Sequence, residues 1–226
     1  MSRRRSSRAA LAALLVLAFA APVHAQVNGI ILDMADDGID LSHVASTSLV
    51  HGTPTTTYWT APMTDDCFLM LDATTVRAAG YEIREAGALL DGLVMFRPDL
   101  SVSDPGGKTT IVTDGWDMLS LFDTDGDGGI GAADAVFEHL WLFMDDDVDG
   151  KISTVHQELH RPPSALLRVS LSAGPPVSDP QGNLRRLGTW FENGDIPHET
   201  QFVDLMEVLV PVRPTTWGAI KAGARR

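Results

Sequence analysis

Four stretches of the chain gather carboxylates at spacings that chemistry can use: Asp33-Met34-Ala35-Asp36-Asp37-Gly38-Ile39-Asp40, the pair Asp65-Asp66, Asp123-Thr124-Asp125-Gly126-Asp127-Gly128, and Asp145-Asp146-Asp147-Val148-Asp149-Gly150. Carboxylates at alternate residues of a tight turn repel one another until a hard cation sits between them. Ca²⁺ takes six to eight oxygens at about 2.3–2.6 Å, and a glycine in the turn lets the backbone bend sharply enough to aim them. Counting Asp123 as position 1 of a calcium loop places Asp125 at 3, Asp127 at 5, Gly128 at 6, Gly129 at 7, Ile130 at 8 and Asp134 at 12. Asp123, Asp125, Asp127 and Asp134 then supply side-chain oxygens, Gly129 its carbonyl, and water the place of Gly131 at position 9. Asp134 stands where a longer Glu is usual, so it reaches the ion with one oxygen.

The last stretch repeats the pattern from Asp145, with Asp147, Asp149, Gly150, the Lys151 carbonyl, Ile152 and Ser153 in order. Position 12 is His156, and imidazole is a poor ligand for Ca²⁺. Either Glu158 reaches back from two residues further on, or this loop binds more weakly. The first stretch has Ala35 at position 3, which leaves Asp33, Asp37 and Asp40 as ligands of a weaker third site. His156 and His160 are spaced as a zinc pair, but no third ligand lies near them in sequence.

Elements must hold these loops. Between them, Val136, Phe137, Leu140, Trp141, Phe143 and Met144 recur at helical spacing, which predicts an amphipathic helix over 132–144. It would be shared by both loops, with the ions at its two ends, roughly 18–20 Å apart at 1.5 Å per residue. An entering helix is predicted over 114–122 and an exit helix stopped by Pro162-Pro163. Elsewhere the β-branched and aromatic runs 29–32, 55–60, 68–71, 109–113, 184–191 and 201–210 read as strands, Asn193-Gly194-Asp195 as a hairpin turn, and 101–108 and 172–183 as loops. The expected fold is α+β: short strands and hairpins packed with a helix-loop-helix-loop-helix unit at 114–161, inside one domain over 26–210.

Taken in order, the blocks Asn28–Leu41, Tyr58-Trp59, Asp65–Asp72, Asp114–Gly128, Ala132–Phe137 and the second Asp loop resemble the EF-hand-like calcium-binding region of secreted bacterial proteins related to haemolysin-type (RTX-associated) proteins. Leu187–Phe191 and Phe202–Asp204 resemble its closing hairpin. The resemblance implies a calcium-binding, EF-hand-like fold. It also implies a further acidic loop after Asp72, where Ala73–Arg77 lacks the carboxylates, and no Gly-Gly-x-Gly-x-Asp repeats are present.

The ends of the sequence add an address. Arg3, Arg4, Arg5 and Arg8 lead into the apolar run 9–21, and Val23-His24-Ala25 offers small residues at its end, so residues 1–25 read as a signal peptide cleaved after Ala25. The run is shorter than the ~20 residues a membrane span needs, and the exported chain is expected in the periplasm or outside the cell with no membrane span. Residues 211–226 form a basic tail. A formal charge of −13 disfavours nucleic acid as a partner. Cys67 is the single cysteine, so no internal disulfide can form and bound calcium is the available staple. None of the seven His sits in a His-Glu-x-x-His spacing and no Gly-x-Ser-x-Gly elbow is present, so no enzyme is expected. The expected function is calcium binding that completes the fold after export. The alternative is a dockerin-like module that uses calcium to present the 132–144 helix to an extracellular or periplasmic protein partner.

Overall fold

The computed structural model describes residues 27–35, 37–47, 55–61, 65–153, 158–162, 168–178, 180, 183–192 and 196–205. The expected signal peptide, His156, the expected Asn193–Asp195 turn and the expected basic tail lie outside the described residues. In chain order the elements are β1 (Val27–Leu32), β2 (His43–Thr47), β3 (Thr55–Trp59), β4 (Cys67–Asp72), α1 (Ala73–Val76), β5 (Glu82–Glu85), β6 (Ala88–Leu89), β7 (Leu93–Met95), β8 (Leu100–Ser103), β9 (Thr109–Ile111), α2 (Gly115–Ser120), β10 (Gly129–Gly131), β11 (Leu140–Phe143), β12 (Leu159–His160), β13 (Arg168–Ser170), β14 (Val177–Ser178), β15 (Leu184–Glu192) and β16 (Ile196–Leu205).

The protein is therefore predominantly β-sheet, and the α+β expectation with its helix-loop-helix-loop-helix unit is wrong. Among the described residues the α-helices are only four and six residues long. The predicted helix over 132–144 is a turn, a 3₁₀ segment at Phe137–His139 and then β11. Leu140-Trp141-Leu142-Phe143 is a short apolar run that fits either period. It is settled by pairing, since Leu140 faces Leu71 and Phe143 faces Phe68 across an antiparallel ladder. Of the expected exit helix, the described residues 158–161 hold instead β12, whose Leu159 pairs with Phe143. Only the entering helix survives, shortened to α2 and capped by the Asp114 carboxylate, which accepts the Asp117 N–H at 2.8 Å.

The main sheet runs β10-β13-β15-β16-β1-β4-β11-β12, with β14 beside β15 and β7 beside β4. Strand β4 lies inside it, between β1 and β11, and is buried on both faces. Leu69 and Leu71 enter one cluster with Ile30, Trp116, Leu119 and Phe122, while Phe68 and Met70 enter the other with Ile31, Trp59 and Phe143. That alternation is the period-2 geometry of a strand with a core on each side. The β2–β3 hairpin closes the second face through Trp59, whose ring centroid lies 4.5 Å from that of Phe68. A second sheet, β6-β5-β8-β9, closes the first through Ile83 and Val102. No helix among the described residues is long and apolar enough to cross a membrane.

Register decides what meets at the sheet end. Leu32 pairs with Cys67, Phe143 with Phe68, and Leu159 with Phe143. Asp33 leaving β1, Asp65 and Asp66 entering β4, Asp145 leaving β11 and Glu158 entering β12 are thus carried to one end of four adjacent strands.

Candidate metal centre

Three groups of carboxylates have ligand oxygens within 4.8 Å of one another: Asp123, Asp125 and Asp134; Asp145, Asp147 and Asp149; and Asp33, Asp37 and Asp65. All three are built on the same turn. The first aspartate accepts, on Oδ2, the amide N–H of the glycine five residues on: Gly128 to Asp123 at 3.1 Å, Gly150 to Asp145 at 2.7 Å and Gly38 to Asp33 at 2.7 Å. Each of those glycines has a positive φ, +83° at Gly128, +70° at Gly150 and +99° at Gly38, a conformation that L side chains rarely adopt. Val148 sits there too, at +57°, which is strained for a β-branched residue.

In the first loop Asp134 is buried and closes the turn, taking the N–H of Thr124 at 2.7 Å and of Gly131 at 3.0 Å. Asp127 stands apart from this group. One of its oxygens accepts the Gly129 N–H at 2.8 Å and the other pairs with Arg168 at 3.4 Å. Gly129 opens β10, and the adjacent Ile130 is fully buried opposite Val169. The loop is thereby fixed to the sheet edge and not to the paired helices that the sequence reading expected.

In the second loop His156 lies outside the described residues. Glu158 is fully buried and its Oε2 accepts the Ser153 N–H at 2.5 Å. Gly131 and Ser153 are the ninth residues of their loops, and each donates to the carboxylate that closes its loop. Glu158 shares that contact with Asp134 but is not one of the three converging carboxylates of its loop, and its other oxygen, Oε1, is buried without a hydrogen-bond partner. Burial pushes the Glu158 carboxyl above the usual range, and the charges of Asp145, Asp147 and Asp149 push it further. Asp145 is also shifted upward, by burial first, against the Gly150 and Asp149 N–H groups, which favour its charged form. Lys151 pairs with Asp149 through its Nζ at 2.9 Å, on the exposed side of the loop.

In the first stretch the membership differs from the expectation. Asp40 does not join the group; its carboxylate accepts the Ser42 N–H at 2.8 Å instead. Asp65 takes its place from a separate segment, and the sequence had marked the Asp65-Asp66 pair without giving it a role. The signal that locates it is long-range, namely the pairing of β1 with β4. Asp66 is buried, and its Oδ2 accepts the Asp40 N–H at 3.0 Å. Burial, with Asp65, Asp33 and Asp37 adding to it, pushes the Asp66 carboxyl up to about 7.

Chemically, the converging carboxylate oxygens of these groups suit a hard cation. No family model matches the chain, and no curated protein does. The dockerin-like alternative depends on a helix over 132–144. That helix does not form, and the half-buried Trp141 is covered by Arg161, whose guanidinium carbon lies 3.8 Å from the ring centroid.

Proposed function

We propose that this protein is an exported calcium-binding protein in which two Asp loops, Asp123–Asp134 and Asp145–Glu158, take up Ca²⁺ and the ion completes the fold after export. The observation that carries this reading is Glu158 Oε1: a carboxylate oxygen buried without a partner, at the closing position of a loop whose three aspartates converge. A buried orphan of this kind is unfavourable in water-free surroundings and becomes favourable when a cation supplies the missing charge. The ligands are Asp123, Asp125 and Asp134, with the Gly129 carbonyl, in the first loop, and Asp145, Asp147, Asp149, Glu158 and the Lys151 carbonyl in the second. Asp127 joins only after exchanging Arg168 for the ion.

The linkage gives function a magnitude. A ligand that binds only the folded chain stabilises it by about 2.7 kcal/mol per site when free ion is 100 times Kd. Scarce cytoplasmic calcium would leave the loops repelling, and millimolar calcium outside would close them. Isothermal titration of the EDTA-stripped protein, beside Asp123→Ala and Asp145→Ala, tests this. Each variant should lose the binding of its own loop and keep the other. Absence of any Ca²⁺ heat, together with identical melting in EDTA and in calcium, refutes the reading.

A further inference from the structure

We propose that Asp33, Asp37 and Asp65, with the buried Asp66 behind them, form a third Ca²⁺ site, assembled from two segments and closed by the pairing of β1 with β4. The inference rests on the calcium reading of the two loops and extends it to a turn whose sequence departs from theirs. Ala35 occupies the position that Asp125 and Asp147 hold in the other loops, so the turn alone provides two carboxylates, Asp33 and Asp37. The third arrives from the start of β4: an oxygen of Asp65 lies within 4.8 Å of those of Asp33 and Asp37.

Convergence of acids is common on protein surfaces without any ion. The independent observation here is Asp66. It is 3% exposed and its Oδ1 is buried without a hydrogen-bond partner. The Asp65 Oδ2 is also buried and unpartnered. Two orphaned carboxylate oxygens on successive residues, the first of which belongs to the group itself, need a cation more than they need a solvent shell they cannot reach. Asp33 is itself 1% exposed and its carbonyl accepts the Trp190 indole N–H at 2.9 Å, so the site is anchored to the hairpin strand β15 as well. Arg185 of the same strand reaches the Ile39 carbonyl at 3.5 Å and bounds the turn on its other side.

The test separates this site from the loops. The full chain carrying Asp123→Asn and Asp145→Asn together is titrated with Ca²⁺, and so is the same chain with Asp37→Asn added. The first should retain one site, and the second should bind it at least tenfold more weakly, the lower end of the 10–100-fold loss seen when even a residue behind a ligand is removed. Should the double variant fold poorly, Asp37→Asn alone in the otherwise native chain, at an exposed position, should lower the Ca²⁺ stoichiometry by one. Terbium luminescence excited through Trp190 supplies a second readout, retained in the double variant and lost with Asp37→Asn. If the native chain binds two ions and the double variant none, the third site is refuted while the loops stand. If the native chain binds none, both fall.

Discussion

Replacing Glu158 with Gln should stabilise the cation-free protein while weakening its response to calcium, an opposite pair of effects that a structural glutamate would not give. In the absence of an ion, Glu158 is wholly buried, has one oxygen on the Ser153 N–H and the other on nothing, and sits among three like charges. Glutamine keeps the acceptor for Ser153, removes the charge, and turns an amide donor toward the aspartates. An unsatisfied buried group costs about 1–3 kcal/mol, and more if charged. Relief of part of that should raise the melting temperature in EDTA at pH 8 by roughly 2–4 °C for each kcal/mol recovered in a chain of this size. With calcium the sign reverses. A 100-fold loss of affinity cuts the second loop's stabilisation from about 2.7 to about 0.4 kcal/mol when free ion is 100 times the native Kd. Differential scanning calorimetry of native and Glu158→Gln proteins, each in EDTA and in calcium, reads both effects. Equal destabilisation in the two buffers would refute the argument and reduce Glu158 to a backbone acceptor.

Further expectations concern pH, the first loop and the core. Burial raises the Asp66 carboxyl to about 7 and those of Glu158 and Asp145 above the usual range, so the folded, cation-free chain binds protons more tightly at these groups than the unfolded chain does. Stability from these groups is therefore present at low pH and lost as pH rises toward about 7, where Asp66 ionises. The slope reaches up to about 1.4 kcal/mol per pH unit per group before solvent screening reduces it. Melting in EDTA between pH 5 and 8 should fall, and a flat profile counts against the buried acids. In the first loop, Asp134→Ala leaves the Thr124 and Gly131 amides without an acceptor and should destabilise even in EDTA by about 1–3 kcal/mol, whereas the exposed Asp125→Asn should stay within about 0.5 kcal/mol and weaken only Ca²⁺ binding. Gly188→Ala would place a Cβ 2.7 Å from the Trp116 ring and 3.0 Å from the Thr200 methyl, and urea unfolding should report a loss of about 1–3 kcal/mol.

What sequence could show follows the range of the interactions concerned. Both loops are local objects, defined by alternation of Asp and a glycine, and that alternation is what brings Asp123, Asp125 and Asp134, and Asp145, Asp147 and Asp149, within reach of one another, while Asp127 stands apart and Glu158 lies two residues beyond the twelfth position. The β4 and β15 runs were legible for the same reason, as continuous apolar or β-branched segments. Failure began where two periods fit one segment. Leu140–Phe143 satisfies a helical stripe and a buried strand equally, and only the partner strand, about seventy residues earlier, decides. Leu100–Ser103 was hidden by its neighbours, a Ser-, Pro- and Gly-rich stretch that reads as loop, although Leu100 and Val102 point inward and the serines outward at the period of a strand.

Asp65 marks the limit of local reading in the sites themselves. Its part depends on β1 and β4 being antiparallel neighbours in one register, Leu32 against Cys67. A shift of one residue would turn every side chain of β4 to the other face and carry Asp65 and Asp66 out of reach of Asp33. The same ladder continues through β11 to β12, so the register that packs Phe68 and Leu69 into two cores also delivers Asp33, Asp65, Asp66, Asp145 and Glu158 to one end of the sheet. Cys67, buried between them, has its thiol pushed up by burial and by Asp65, Asp66 and Asp146. Hydrophobic pairing thus gathers charge that opposes it. A cation at that end would relieve the repulsion without disturbing the core. For that reason calcium should act on the stability of the whole sheet and not on the loops alone.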